Sequence, residues 1–125
     1  MSEKIYTENA PAAIGPYSQA VVVNGMVYTS GQIAIVPATG NIEASDIKGQ
    51  TTQVMENLKA VLTAAGTSMD NIIKTTCFLD KIADFAAFNE VYGQYITEKP
   101  ARSCVAVEDL PKGALVEVEV IATID

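Results

Sequence analysis

The sequence predicts an α+β domain, one sheet with two helices packed on one of its faces. Two β-prone runs flank an Asn-Gly pair, two later stretches space their apolar residues as helices do, and further short runs are dense in β-branched residues. The resulting order is strand, strand, helix, strand, helix, strand, strand. No repeat, linker or low-complexity segment interrupts it, so residues 1–125 read as a single domain.

The first two strands are Val21-Val22-Val23 and Met26-Val27-Tyr28-Thr29, joined by Asn24-Gly25, a pair that supplies the two positive φ angles of a type I′ turn. From Ser45-Asp46 onward, Ile47, Val54, Leu58, Val61, Leu62 and Ala65 recur at helical spacing, with a capping residue before them and Gly66 after them. Residues 72–79 are β-branched and aromatic and too short for a helix, so they read as a buried strand. Asp84 is expected to cap a second helix with the stripe Phe85, Phe88, Val91, Tyr92, Tyr95 and Ile96, which Pro100 ends. The last strands fall at residues 102–107 and 115–124.

Two helices on one face leave the other face bare. In the last strand Val116, Val118, Val120, Ala122 and Ile124 alternate with Glu117, Glu119, Ile121 and Thr123, so both sides carry apolar residues that need cover. Association of subunits is the simplest cover, and a hydrophobic content of 49% in 125 residues is rich for a small monomer.

Charge and composition exclude several classes. A net charge of −7, with eight Lys and Arg scattered along the chain, argues against nucleic acid as a partner. The N-terminus has no basic-then-apolar signal and no apolar run approaches the ~20 residues of a membrane helix, so a cytoplasmic protein without a membrane partner is expected. Histidine is absent, which removes Ser-His-Asp and Cys-His hydrolase mechanisms. Cys77 and Cys104 lack any CxxC spacing, and no Asp and Glu residues cluster at ligand spacing, so neither a disulfide framework nor a metal site is expected.

The chemistry concentrates near the C-terminus. Arg102 opens an apolar strand and Glu117 interrupts a valine ladder, places where a charge needs a partner or a ligand. A guanidinium matches a carboxylate in a bidentate way, which makes Arg102 the natural receptor for a small carboxylic acid. If the last two strands pair about a bend near Asp109 and Leu110, Arg102 and Glu117 fall opposite each other, as a site or as a structural ion pair. Asn89 shares a helix side with Phe85, Tyr92 and Ile96, and reads equally as a ligand contact or a satisfied buried amide. Tyr17 follows Gly15-Pro16, which could aim its ring into a cleft or simply pack it on a loop. Gly31 allows close approach of a ligand or a bend at a strand end. Cys104 is better read as a small hydrophobe than as a nucleophile, because no histidine exists to activate it, and Cys77 reads as core.

Pro100-Ala-Arg102-Ser103 followed by Val116-Glu117-Val118, with Asn9-Ala-Pro11-Ala-Ala-Ile-Gly15-Pro16-Tyr17 and Thr29-Ser30-Gly31-Gln32 upstream, closely resembles the RidA (YjgF) family of reactive-intermediate deaminases over the whole chain. Glu108 and Val118 are small departures outside the proposed chemistry. The resemblance implies a chorismate-mutase-like homotrimer with sites between subunits. It implies hydrolysis of 2-imino or 2-enamino acids to 2-oxo acids and ammonia, with no cofactor, Arg102 and Glu117 as the catalytic pair, and Tyr17, Ser30, Gly31, Asn89 and the backbone at Cys104 around the ligand. In the mechanism expected, Arg102 holds the carboxylate and Glu117 positions the water. A 2-oxo acid sensor that uses the same arginine without turnover, and a chaperone-like holdase, are the alternatives.

Overall fold

The computed structural model describes residues 2–124. The strands are β1 (Glu3–Ile5), β2 (Ala20–Val23), β3 (Met26–Thr29), β4 (Ile35–Val36), β5 (Asn41–Ile42), β6 (Ile72–Leu79), β7 (Ala101–Ala106) and β8 (Val116–Thr123). The helices are α1 (Ile47–Ala64) and α2 (Phe85–Tyr95). Six strands form the main sheet in the order β1-β2-β3-β8-β6-β7, and β4 pairs with β5 in a separate hairpin.

Local chemistry explains most of these elements. Asn24 and Gly25 have φ of 51° and 73°, the positive pair that a type I′ turn requires between β2 and β3. α1 stops in a Schellman arrangement: Thr67 N–H reaches Leu62 C=O at 3.0 Å, Gly66 N–H reaches Thr63 C=O at 3.1 Å, and Gly66 takes φ 89°. The helix starts correct the sequence reading. Asp46 and Asp84 stand at the N-cap positions, yet neither side chain makes a capping hydrogen bond. Gln50 secures the start of α1 instead, its Nε2 donating to Ala44 C=O at 3.0 Å, and α2 continues from a 3₁₀ turn at Ile82–Asp84. β1 and the β4–β5 hairpin are additions to the elements expected from the sequence.

A second correction concerns register. β7 and β8 do not pair, because β6 lies between them, parallel to β7 and antiparallel to β8. A dense β-branched strand is most favourable where both of its edges are bonded, which places β6 inside the sheet. Beyond its end, Val107 N–H still reaches Leu79 C=O at 2.9 Å on one side and Asp80 N–H reaches Leu115 C=O at 3.0 Å on the other. The chain from 107 to 115 therefore crosses the end of β6 and does not form a hairpin bend.

Both helices cover one face. Val54, Leu58 and Leu62 of α1 and Phe88 of α2 pack on Val27, Leu79, Val116, Val118 and Val120, all buried. Register puts Val21, Tyr28, Ile121, Phe78 and Val105 on the other face with Glu117 and Glu119. That face is uncovered in the single chain, and Tyr28 and Val105 are exposed. Among the described residues no helix is long and apolar enough to cross a membrane.

Candidate active site

The predicted residues gather in two places on opposite faces of the sheet. The first lies beside the uncovered face. There a cleft of about 550 Å³ is lined by Tyr17, Ser30, Gly31 and Glu117, with Pro11, Ile14, Ile33 and Ile35 as apolar walls and Lys112 and Glu119 at its polar side. Gln32 and Val118 exchange backbone hydrogen bonds at 2.9 and 3.1 Å, which draws Gly31 alongside the β8 glutamates. A Cβ on residue 31 would stand 2.8 Å from Glu117 Cδ and collide with its Oε2, so the missing side chain is what gives the carboxylate its place.

Among the described residues no side chain or backbone group donates to the Glu117 carboxylate. Burial raises its pKa above the usual carboxylate range, and the negative charge of Glu119 adds to that shift. A carboxylate so placed can take a proton from water and return one, which is the work of a general base. Ser30 is already committed as a donor: its Oγ–H goes to Ser18 C=O at 2.6 Å, leaving the oxygen lone pairs to accept.

Tyr17 is held by a tight turn in which its N–H reaches Gly15 C=O at 2.8 Å, with its ring lying against Gly15. The segment that carries it is tied down by a residue absent from the predicted site. Gln19 is buried, accepts from Thr7 N–H at 2.7 Å and donates to Thr7 C=O at 3.0 Å and Pro11 C=O at 2.8 Å. Across the cleft, Asn57 of α1 donates to Ile33 C=O and Ile35 C=O at 3.1 and 2.9 Å. Amide side chains in an apolar pattern are the sequence signal for such anchors, but their partners lie too far along the chain to be named from it.

The second place is the edge strand β7, on the helix side. Arg102 pairs with Thr75 of β6, whereas Glu117 pairs with Phe78, three residues further along and on the opposite face. Within one chain their Cα atoms are therefore roughly 14 Å apart, from two strand spacings and three residue rises. The expected pairing of Arg102 across from Glu117 does not occur within a chain. Arg102 Nη1 instead donates to Asn89 Oδ1 at 2.7 Å, and its Cζ lies 4.9 Å from the centre of the Tyr92 ring and 5.4 Å from that of Phe85. Asn89 and Arg102 are thus together, as are Tyr17, Ser30, Gly31 and Glu117, but the two groups are not.

Cys104 is the registered neighbour of Cys77. Burial pushes the Cys77 thiol up to about 12 and raises that of Cys104 as well, the latter opposed by the Arg102 charge, so both stay protonated. Its backbone is more useful. Val107 N–H bonds toward β6, so the two-residue alternation turns the N–H and C=O of Cys104 away from β6, to the open edge of the sheet.

Residues 7–124 match the family described as Endoribonuclease L-PSP, to which the RidA proteins belong. The chain is a member of the RidA family. A RutC family protein of Pyrococcus horikoshii is 54% identical over 98% of each chain. The 2-iminobutanoate/2-iminopropanoate deaminase of Salmonella typhimurium is 50% identical, also over 98% of each. Among solved structures, that of Escherichia coli TdcF with bound serine superposes with a TM-score of 0.94 at 46% identity, covering 98% of this chain and 99% of that one. The mixed sheet with two helices on one face is the RidA fold.

Proposed function

We propose that this RidA protein hydrolyses 2-imino acids and their enamine tautomers to 2-oxo acids and ammonia, in a site completed between copies of the chain, three of which close a ring. The observation that carries the reading is the division of the chemistry. Arg102 has no carboxylate within ion-pair distance among the described residues, and Glu117 has no donor, yet they lie on opposite faces and cannot meet in one chain. The open β7 edge of one copy set against the uncovered cleft of the next would bring them together and cover apolar surface at the same time.

In that site Arg102 takes the substrate carboxylate in a paired hydrogen bond, which fixes C2 of the imine. Water held by Glu117 of the adjoining copy adds its oxygen to C2 of the protonated imine while one of its protons passes to the carboxylate and the C=N electron pair settles on nitrogen. The resulting carbinolamine carries hydroxyl and amine on one carbon. Glu117 returns that proton to the amine, the C–N bond breaks as ammonia leaves with the bonding pair, and the hydroxyl gives its own proton to the Glu117 carboxylate as it becomes the ketone. Ser30 Oγ can accept only, and so suits an N–H or water proton. The outward N–H of Cys104 suits an oxygen, and Tyr17 closes the side. The imine is electrophilic in itself, so positioning with one carboxylate suffices and no cofactor is needed. The name borne by one relative 50% identical supports the same chemistry.

A relative crystallised with bound serine also fits a protein that binds small carboxylic acids without turnover. One experiment separates the two. Iminobutanoate or iminopropanoate is generated in situ by a dehydratase or amino acid oxidase, and its decay is followed with wild type and Arg102→Ala. Faster decay with wild type alone supports hydrolysis through Arg102. Binding of 2-oxobutanoate without acceleration of any imine's decay would overturn it in favour of the sensor.

A further inference from the structure

An arginine on an edge strand has nothing in its own strand to hold it, and a free guanidinium loses rotamer freedom when a ligand fixes it. The usual way to pin an arginine is a carboxylate, but a carboxylate neutralises the charge that an anionic ligand would need. Arg102 is held differently. Phe85, Asn89 and Tyr92 stand on successive turns of one side of α2, and all three touch the guanidinium. The rings contact it through their π systems, and Asn89 occupies one of its five N–H donors.

Tyr92 is itself fixed. Its hydroxyl lies 2.8 Å from Thr75 Oγ1 in the buried interior, and its ring packs 5.4 Å from that of Phe88, tilted by 45°. Thr75 is the β6 residue registered against Arg102, so strand and helix grip the same side chain from two directions. Burial raises the Tyr92 pKa, which keeps the phenol neutral and prevents it from becoming a rival anion.

We propose that Phe85 and Tyr92, with Thr75 behind Tyr92, are positioning residues that preorganise Arg102 for a carboxylate while leaving its positive charge unneutralised. Asn89 belongs to the same device and acts through the arginine. The inference rests on the proposed function for the identity of the anion; the immobilisation of Arg102 can be read without it.

The test uses Phe85→Leu and Tyr92→Leu, with Phe85→Tyr and Tyr92→Phe as conservative partners. Two quantities are measured in each: the KM and kcat for in-situ 2-iminobutanoate, and rotation of the Arg102 guanidinium about Nε–Cζ by side-chain ¹⁵N NMR. Loss of a ring is expected to raise KM roughly tenfold, the scale of a partly desolvated cation–π contact, with a smaller change in kcat and faster guanidinium rotation. Phe85→Tyr should restore both readings to near wild type, and Tyr92→Phe, which keeps the ring but loses the bond to Thr75, should fall between wild type and Tyr92→Leu. A KM and rotation rate in Phe85→Leu equal to wild type would overturn the inference, even if Tyr92→Leu fails to fold, because Phe85 lies at the rim and its removal is tolerable. If wild type hydrolyses no imine, the proposed function falls, and the rotation measurement alone decides whether the clamp exists.

Discussion

At the residue scale, the placement of Glu117 sets a conflict between stability and reactivity. Its ionised form is disfavoured in the folded chain by burial first and by Glu119 second, while the unfolded chain ionises near the ordinary glutamate value of about 4.3. A carboxyl whose folded pKa is raised binds its proton more tightly when folded. The fold therefore loses stability as pH rises from below the ordinary value through the raised one. Glu117→Gln should raise the melting temperature at pH 8, and the gain should disappear below about pH 4, where both states are protonated. Thermal melts of the two proteins at pH 4, 6 and 8 check this; a gap independent of pH would show that the charge is not responsible. The same variant should lose imine hydrolysis. Gly31 takes part in this arrangement without any chemistry of its own, because it supplies the space the carboxylate occupies.

At the element scale, the parts of the fold legible in the sequence are those decided within a few residues. Asn24-Gly25 dictates its turn by backbone sterics, and Gly66 ends α1 by accepting φ 89°. The apolar spacing of α1 and α2 and the density of β6 were sufficient to place those elements. What was not legible depended on distant partners. β4 and β5 are two residues each, too short for any alternation, and an amide from α1 holds the chain beside them. The position of β6 between β7 and β8 is a choice of neighbours, and that choice moved Arg102 and Glu117 to different faces. The motifs could thus nominate candidate residues, while their arrangement could not be read from the sequence. Gln19 shows the same limit. Replacing it with alanine strands partly buried groups at Thr7 and Pro11, so Gln19→Ala should cost about 1–3 kcal/mol. It should also loosen residues 7–11 beside Tyr17. Denaturant unfolding gives the first quantity, and amide exchange at Thr7 gives the second; unchanged protection at Thr7 would show that the segment is anchored elsewhere.

At the scale of the whole molecule, a site built from two faces of neighbouring copies makes a prediction that no single-chain site shares. Arg102→Ala and Glu117→Gln should each be inactive alone, since every junction lacks one member. Unfolded together in equal amounts and refolded, they should recover about a quarter of wild-type activity, because random mixing pairs an intact arginine with an intact glutamate at one junction in four. No recovery in a mixture that demonstrably exchanges subunits would show that the two residues do not share a site between copies. The open β7 edge has a further consequence. It presents the outward backbone groups of Arg102, Cys104 and Ala106 beside an exposed Val105, the kind of bare strand to which foreign strands attach. If the next copy covers that edge, the contact that supplies the missing glutamate also removes a template for aggregation. A chain left without neighbours would then be both idle and adhesive, so assembly would serve solubility as much as catalysis.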